Sequence, residues 1–217
     1  MKASKLVLDY ELYPRERIDP YNINQMVEAL KAGAKLPPII VERNSLRVVD
    51  GFHRVRAYQK AYGNDCDIPV KYQEYANDAE MFADSVRLNA NHGRQLSNYD
   101  RAHCIAKAEA LNLEPAVISS LLNMTLETLS EMKTERFATY KMQPQVLKRT
   151  AAHLAGKNLT DEEAEYNIKA GGMHQTFYIN QVIAMLEADT ADWANPKVTN
   201  GLKKLHRLID EAIKVLV

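Results

Sequence analysis

The sequence predicts an α+β protein, a small mixed domain followed by an all-helical region that includes a helix-turn-helix. Three observations carry this. Short runs rich in β-branched residues, "PPIIVE", "LRVV" and "IPVKY", are confined to the N-terminal part and alternate with helix-like stretches. From Asp78 onward the β signal disappears. Further on, "EPAVISSLLNMTLETLSEM", Glu114 to Met132, has the order a helix-turn-helix needs: apolar anchors, a turn residue, then a capping hydroxyl.

Taken in order, "KLVLDYELY" is apolar and alternating enough for a strand. "DPYNINQMVEALKAGA" reads as a helix with its N-cap near Asn22 and a glycine near its end. "PPIIVERNSLRVVDG" reads as a hairpin turning at Asn44-Ser45. Asp50 to Arg54 then form a strand-to-helix turn, leading into a helix over about Val55–Tyr62 and a further strand in "NDCDIPVKYQEY". "DAEMFADSVRLNANHG" is a helix ending near Gly93, and "SNYDRAHCIAKAEALN" is one capped by Ser97. In the helix-turn-helix, Ile118 and Leu122 face inward, Asn123 makes the turn, and Leu129 anchors the second helix. Gly171-Gly172 connects two helices. The final run "VTNGLKKLHRLIDEAIKVLV" spaces apolar residues three to four apart, a stripe that its own domain or a twin chain must cover. The expected divisions are 1–77, 78–140 and 141–217.

The chain has 217 residues, 46% of them hydrophobic, enough for one large domain or two small ones. No apolar run is long enough for a transmembrane helix, and the N-terminus lacks a signal-peptide core. The two cysteines, Cys66 and Cys104, have neither disulfide-framework nor zinc spacing, which fits a reducing cytoplasm. Basic and acidic residues balance at 28 each, which argues against an overall electrostatic attraction to nucleic acid and leaves room for a local basic face.

The stretch "RVVDGFHRVRAYQKAYG" carries the chemistry. The first N–H groups of a helix lack intrahelical partners, and the helix dipole favours negative charge there. Gly51 lets the backbone approach an anion, and His53 and Arg54 add donors. An ordinary turn with a capping Asp and two solvated basic residues explains the same pattern, and both readings stay open. So do two readings of Glu114–Met132, a DNA reader or a plain helical hairpin. Lys148 and Arg149, in a locally basic stretch, are candidates for phosphate-backbone contacts. His92 could donate to a phosphate or to helix-end carbonyls. The other histidines show no metal spacing, so no metal ligands are assigned.

The two motifs in this order resemble the ParB family, within the ParB/sulfiredoxin-like superfamily, over about residues 5–135. The Gly-x-x-Arg-x-x-Ala box is Gly51, Arg54 and Ala57, and "NHGRQLSNYDRA" is similar to the family's Asn-x-x-Arg segment at Asn91 and Arg94. The resemblance implies a nucleotide-binding domain that takes a nucleoside triphosphate, CTP or ATP, with or without magnesium. Gly51, Phe52, His53, Arg54, Asn91, His92 and Arg94 would form its site. It also implies DNA binding, with Thr125, Thr128, Lys133, Lys148 and Arg149 as candidates, and a homodimer.

Departures from the family matter. His53 stands where ParB has an arginine, and Ala90 where it has a glutamate, which weakens any case for metal binding or hydrolysis. Phe52 replaces the catalytic cysteine of sulfiredoxins. Free-serine kinases of this fold share "DGFHR", and for a kinase or triphosphatase the catalytic carboxylates would be Glu16 or Asp50. From Asn98 to Arg136 there are four basic and six acidic residues, a poor charge for a major-groove reader. Three readings follow: a nucleotide-binding, DNA-associated protein of a plasmid, phage or mobile element; a phosphotransferase or nucleotide hydrolase; or a partner-binding protein with a vestigial nucleotide site.

Overall fold

The computed structural model describes residues 1–91 and 95–216. It divides into two compact units, Met1–Ala170 and Gly171–Val217.

The first unit opens with a 3-10 turn at Ala3–Lys5. The expected strand at "KLVLDYELY" does not form. Val7 makes a single bridge to Arg47, and Leu12 and Tyr13 are drawn into the core from an irregular backbone. Helix α1, Pro20–Lys31, is capped three residues before the expected position, because Asp19 accepts the Tyr21 N–H and Pro20 takes the first helical position. Strands β1, Ile39–Glu42, and β2, Val48–Asp50, pair antiparallel as the expected hairpin. Glu42 stabilises its turn, accepting from the Asn44 and Ser45 N–H groups and the Ser45 hydroxyl, and these donors hold its pKa down at about 2.

Helix α2, Phe52–Tyr62, begins directly after the turn at Gly51. Strand β3, Val70–Gln73, lies parallel to β1, giving the order β2-β1-β3. The first core gathers Tyr13, Val27, Leu30, Ile39, Val41, Phe52, Val55 and Ile68. Helix α1 packs on α2 here. This is the small mixed domain.

Helices α3, Asp78–Asn91, and α4, Asn98–Ala110, follow. Ser97 and Asp100 form a reciprocal capping box on α4. Helix α5, Pro115–Leu121, and helix α6, Leu126–Arg136, are joined through Asn123 at φ 50° and the N-cap Thr125. Ile118, Leu122 and Leu129 are buried, as their spacing predicts, in a second core with Met81, Phe82, Val86 and Ile105. Leu12 and Val49 reach into that core from the mixed domain.

The remainder is helical with one departure. Strands β4, Phe137–Tyr140, and β5, Gln143–Val146, form a hairpin. Its turn, Lys141-Met142, has positive φ at both residues, 49° and 63°, without the Gly or Asn that would have announced it. A 3-10 turn at Arg149–Leu154 and helix α7, Asp161–Lys169, complete a third core around Leu147, Ala151 and Leu154.

The second unit holds helix α8, Gln175–Glu187, and helix α9, Pro196–Leu216. Gly171-Gly172 do connect two helices, α7 and α8. Among the described residues no helix is long and apolar enough to cross a membrane.

Candidate functional site

The turn after β2 is built around Gly51, at φ 112°. A side chain here would be strained, and a Cβ would stand 3.0 Å from Ile39 Cγ1 and 3.2 Å from the Arg54 guanidinium carbon. Only glycine fits. The first carbonyl bond of α2 is from Val55 N–H to Gly51 O, 2.9 Å. The N–H groups of Phe52, His53 and Arg54 therefore have no carbonyl within the helix to bond.

The three side chains after Gly51 go to different places. Phe52 is 2% exposed and stacks on Tyr13 at 4.5 Å, so it is core, and only its N–H is positioned for an anion. His53 faces the segment before α1. Its Nε2 accepts the Asp19 N–H at 3.0 Å, which puts the ring proton on Nδ1, 3.5 Å from the Tyr13 hydroxyl oxygen. Arg54 is not the solvated residue the turn suggests. One guanidinium nitrogen donates to the Pro37 and Pro38 carbonyls, at 3.0 and 2.8 Å, and the other to Asp50. Its side chain is 13% exposed. Arg54 thus ties the turn to the chain entering β1, and this pair occupies the Asp50 carboxylate.

The segment Pro14–Asp19 joins three helix N-termini. Asp19 caps α1 and bonds His53 on α2. The Glu16 N–H donates to Asp100 Oδ1 in the first turn of α4, 3.0 Å. Arg15 donates to Asn89 Oδ1 in α3 at 3.4 Å and to the Gln95 carbonyl before α4 at 3.5 Å. Asn91 closes α3, and His92 and Arg94 lie outside the described residues. The Glu16 carboxylate is 3.8 Å from Lys148 Nζ, which also donates to the Ile168 carbonyl at 2.7 Å. Glu16 and Asp50 are therefore held by different cations, and no contact joins them. Among the described residues, no three His, Cys, Asp or Glu side chains gather as a metal site.

Burial sets the titration of the groups around this segment. It raises the Tyr13 and Tyr99 hydroxyls well above the usual phenol range. It lowers His103, whose ring meets Tyr99 edge-on at 4.6 Å and whose Nε2 is buried with no partner. Tyr13 and Asp19 escaped the sequence reading. The Asp-Pro pair could have identified Asp19 as the cap, whereas nothing in the sequence marks Tyr13 as a partner of His53.

Residues 5–89 match the ParB N-terminal domain family. This part of the chain is ParB-like. The match covers the cradle and all but the end of α3. Among curated proteins, the chain is 40% identical over 70 residues to the streptomycin biosynthesis operon possible regulatory protein of Streptomyces griseus, covering 32% of this chain and 19% of that one. It is 30% identical over 107 residues to the transcriptional regulator NovG of Streptomyces niveus, 49% of this chain and 33% of that one. The chain thus spans a fifth to a third of the curated relatives it matches. Among solved structures it is similar to the C-terminally truncated chromosome-partitioning protein ParB from Caulobacter crescentus complexed to the centromeric parS site. The TM-score is 0.44 at 17% identity, over 77% of this chain and 76% of that one. The Pnob8-like ParB-N domain gives a TM-score of 0.40 at 16% identity, over 67% and 54%.

Outside the matched residues, the DNA candidates are mostly engaged. Thr125 Oγ1 caps α6 by accepting the Thr128 N–H, and the two hydroxyls are 3.0 Å apart. Lys133 pairs with Glu109 on α4. Lys148 points inward, as above, while Arg149 is exposed. The outer face of α6 presents Glu127, Glu131 and Glu135, all exposed.

Proposed function

We propose that the chain is a ParB-like, DNA-associated regulatory or partition protein whose N-terminal domain binds a nucleoside triphosphate. The observation that carries the nucleotide reading is the Gly51 cradle within the matched domain. The residues fit an anionic group. The N–H groups of Phe52, His53 and Arg54 point out of the helix N-terminus, and two other helices begin beside the same segment. Asn91, His92 and Arg94, carried by the resemblance, would close the phosphate site.

For His53 to donate to phosphate through Nε2, it must release the Asp19 N–H. Nucleotide binding is thereby coupled to the start of α1. The kinase or hydrolase reading is less favoured, because Arg54 occupies Asp50 and Lys148 lies beside Glu16.

The DNA half rests on the ParB domain and on the α5–α6 pair, read as a helix-turn-helix, with Arg149 supplying a phosphate contact. The exposed glutamates of α6 favour a second reading, in which this pair docks a protein carrying basic side chains. A plasmid, phage or mobile element remains the proposed setting.

Calorimetric titration with CTP, ATP, ADP and GTP, with and without magnesium, tests the nucleotide half. Heat from at least one triphosphate, lost in folded Gly51→Ala protein, is expected. No heat from any of them would sink it. For DNA, a mobility-shift series in rising salt should show weak binding that falls steeply and weakens further in Arg149→Ala. No shift at low salt on any duplex would leave α5–α6 to a protein partner.

A further inference from the structure

Helix α6 runs into β4 without a linker, since its C-cap is Phe137, the first residue of the strand. A surface that meets α6 therefore has the β4–β5 hairpin beside it. The root of the hairpin is fixed. Phe137 packs against the second core, Ala138 lies in the third, and Thr139 bonds the Lys157 carbonyl and the Leu159 N–H. The tip stands out from that root by about 13 Å, at roughly 3.3 Å for each of four strand residues. There Lys141, Met142, Gln143 and Pro144 are all exposed. Lys141 and Met142 hold φ at 49° and 63°, where glycine or asparagine would sit with less strain. Packing does not offset that strain. Met142 is 92% exposed, and Lys141 reaches the Tyr140 ring at 4.8 Å and the Asp161 carboxylate at 3.3 Å. Strain kept at exposed side chains points to a use for the side chains themselves.

Charge says what they meet. From Arg136 to Asn158 there are five basic residues, Arg136, Lys141, Lys148, Arg149 and Lys157, and no acidic one. The chain as a whole is neutral, and the exposed face of α6 carries Glu127, Glu131 and Glu135. The positive charge thus begins where the helix ends and the hairpin starts. Lys148 turns inward to the Ile168 carbonyl, whereas Lys141, Arg149 and Lys157 are exposed. The Lys141–Asp161 pair is the nearest competing contact, with side chains 67% and 74% exposed. A pair so open to water is weak and gives way to a phosphate.

We infer that the β4–β5 hairpin is a DNA wing whose tip enters the minor groove next to the major groove that α6 faces. The minor groove is about 6 Å wide, too narrow for a helix but open to side chains from a hairpin tip. Proteins that bind there use Lys and Gln together with apolar wedges such as Met. Lys141, Met142 and Gln143 supply that set in three consecutive residues. Lys141 binds the groove floor or its phosphates, Met142 presses on the sugars and base edges, and Arg149 and Lys157 hold the flanking backbone.

The inference rests on the DNA reading above, and the two fail separately. The full chain is titrated by fluorescence anisotropy against a labelled random-sequence duplex in rising salt. Lys141→Gln should weaken binding and lower the slope of log affinity against log salt by about one. Met142→Gly relieves the left-handed strain, yet it should weaken binding about fivefold or more, as the loss of a half-buried apolar side chain implies. Netropsin, which occupies the minor groove, should displace the protein from an A·T-rich duplex. If the wild-type chain binds duplex and both variants match it in affinity and slope, or if netropsin leaves the complex intact, the wing is overturned and the DNA reading stands. If the wild-type chain binds no duplex at low salt, both fall, and hairpin-dependent binding to phosphatidylserine vesicles would give this face to a lipid surface instead.

Discussion

At Gly51, a single added methyl group meets Ile39 and Arg54 in a backbone conformation that L residues avoid. Gly51→Ala should cost about 1–3 kcal/mol, combining the left-handed penalty with the close contact, and should lower the urea midpoint. Arg54→Ala should also destabilise, by about 1–3 kcal/mol, because three charge-assisted bonds are lost. Nucleotide titrations of either variant therefore belong well below its melting temperature. An unchanged urea midpoint in both would show that the turn relaxes freely.

Sequence pattern identified Gly51 and Arg54 as a pair, because glycine followed by basic residues at a helix start is a local signal. It could not show that Arg54 is spent on Pro37 and Pro38, since those carbonyls lie 17 and 16 residues away and are positioned only by β1. For the same reason the sequence shows His103 only as one of the scattered histidines, structural or surface, without metal spacing. Burial holds its pKa below 6.5 in the folded chain, with Glu16 and Asp100 opposing and Lys107 and Lys148 reinforcing. The unfolded chain thus takes up the proton first. Stability should be flat above pH 6.5 and decline as the pH falls below it, and His103→Phe should remove part of that slope in urea melts.

Elements were legible where local chemistry decides them and hidden where tertiary contacts do. Asn123 at φ 50°, the Thr125 cap and the inward Ile118, Leu122 and Leu129 lie where the sequence put them, because turn chemistry and helical period are short-range. The β4–β5 hairpin was hidden because its turn residues are Lys141 and Met142, and because Pro144 reads as a strand breaker. What holds it is non-local: Thr139 donates to the Lys157 carbonyl and accepts from the Leu159 N–H. Met142 sits at φ 63° and is 92% exposed, so it has backbone strain and little packing to lose. Met142→Gly should therefore stabilise the protein by about 0.5–1.5 kcal/mol, visible as a higher urea midpoint at an unchanged slope. A lower midpoint would mean that the Met142 side chain contributes more than its exposure suggests.

On the scale of the whole molecule, all three buried cores lie within residues 1–170. The first two share residues across the mixed domain and the helices, since Leu12 and Val49 pack with Phe82 and Ile105. The third is tied to them by Lys148, which bonds the Ile168 carbonyl and lies beside Glu16. Such shared packing makes one cooperative unit of residues that the sequence reading had spread over three divisions. Among the described residues, helices α8 and α9 add apolar surface but no buried side chain of their own. A chain ending at Ala170 should therefore fold, unfold in one transition, and bind the same nucleotides as the full chain. Its midpoint should match that of the full chain to within about 4 °C, the shift that roughly 1 kcal/mol produces at this size. Calorimetric scans of the two proteins decide it. If the truncated chain melts broadly or far below the full chain, the last two helices supply stability to the rest and the three cores are not sufficient alone.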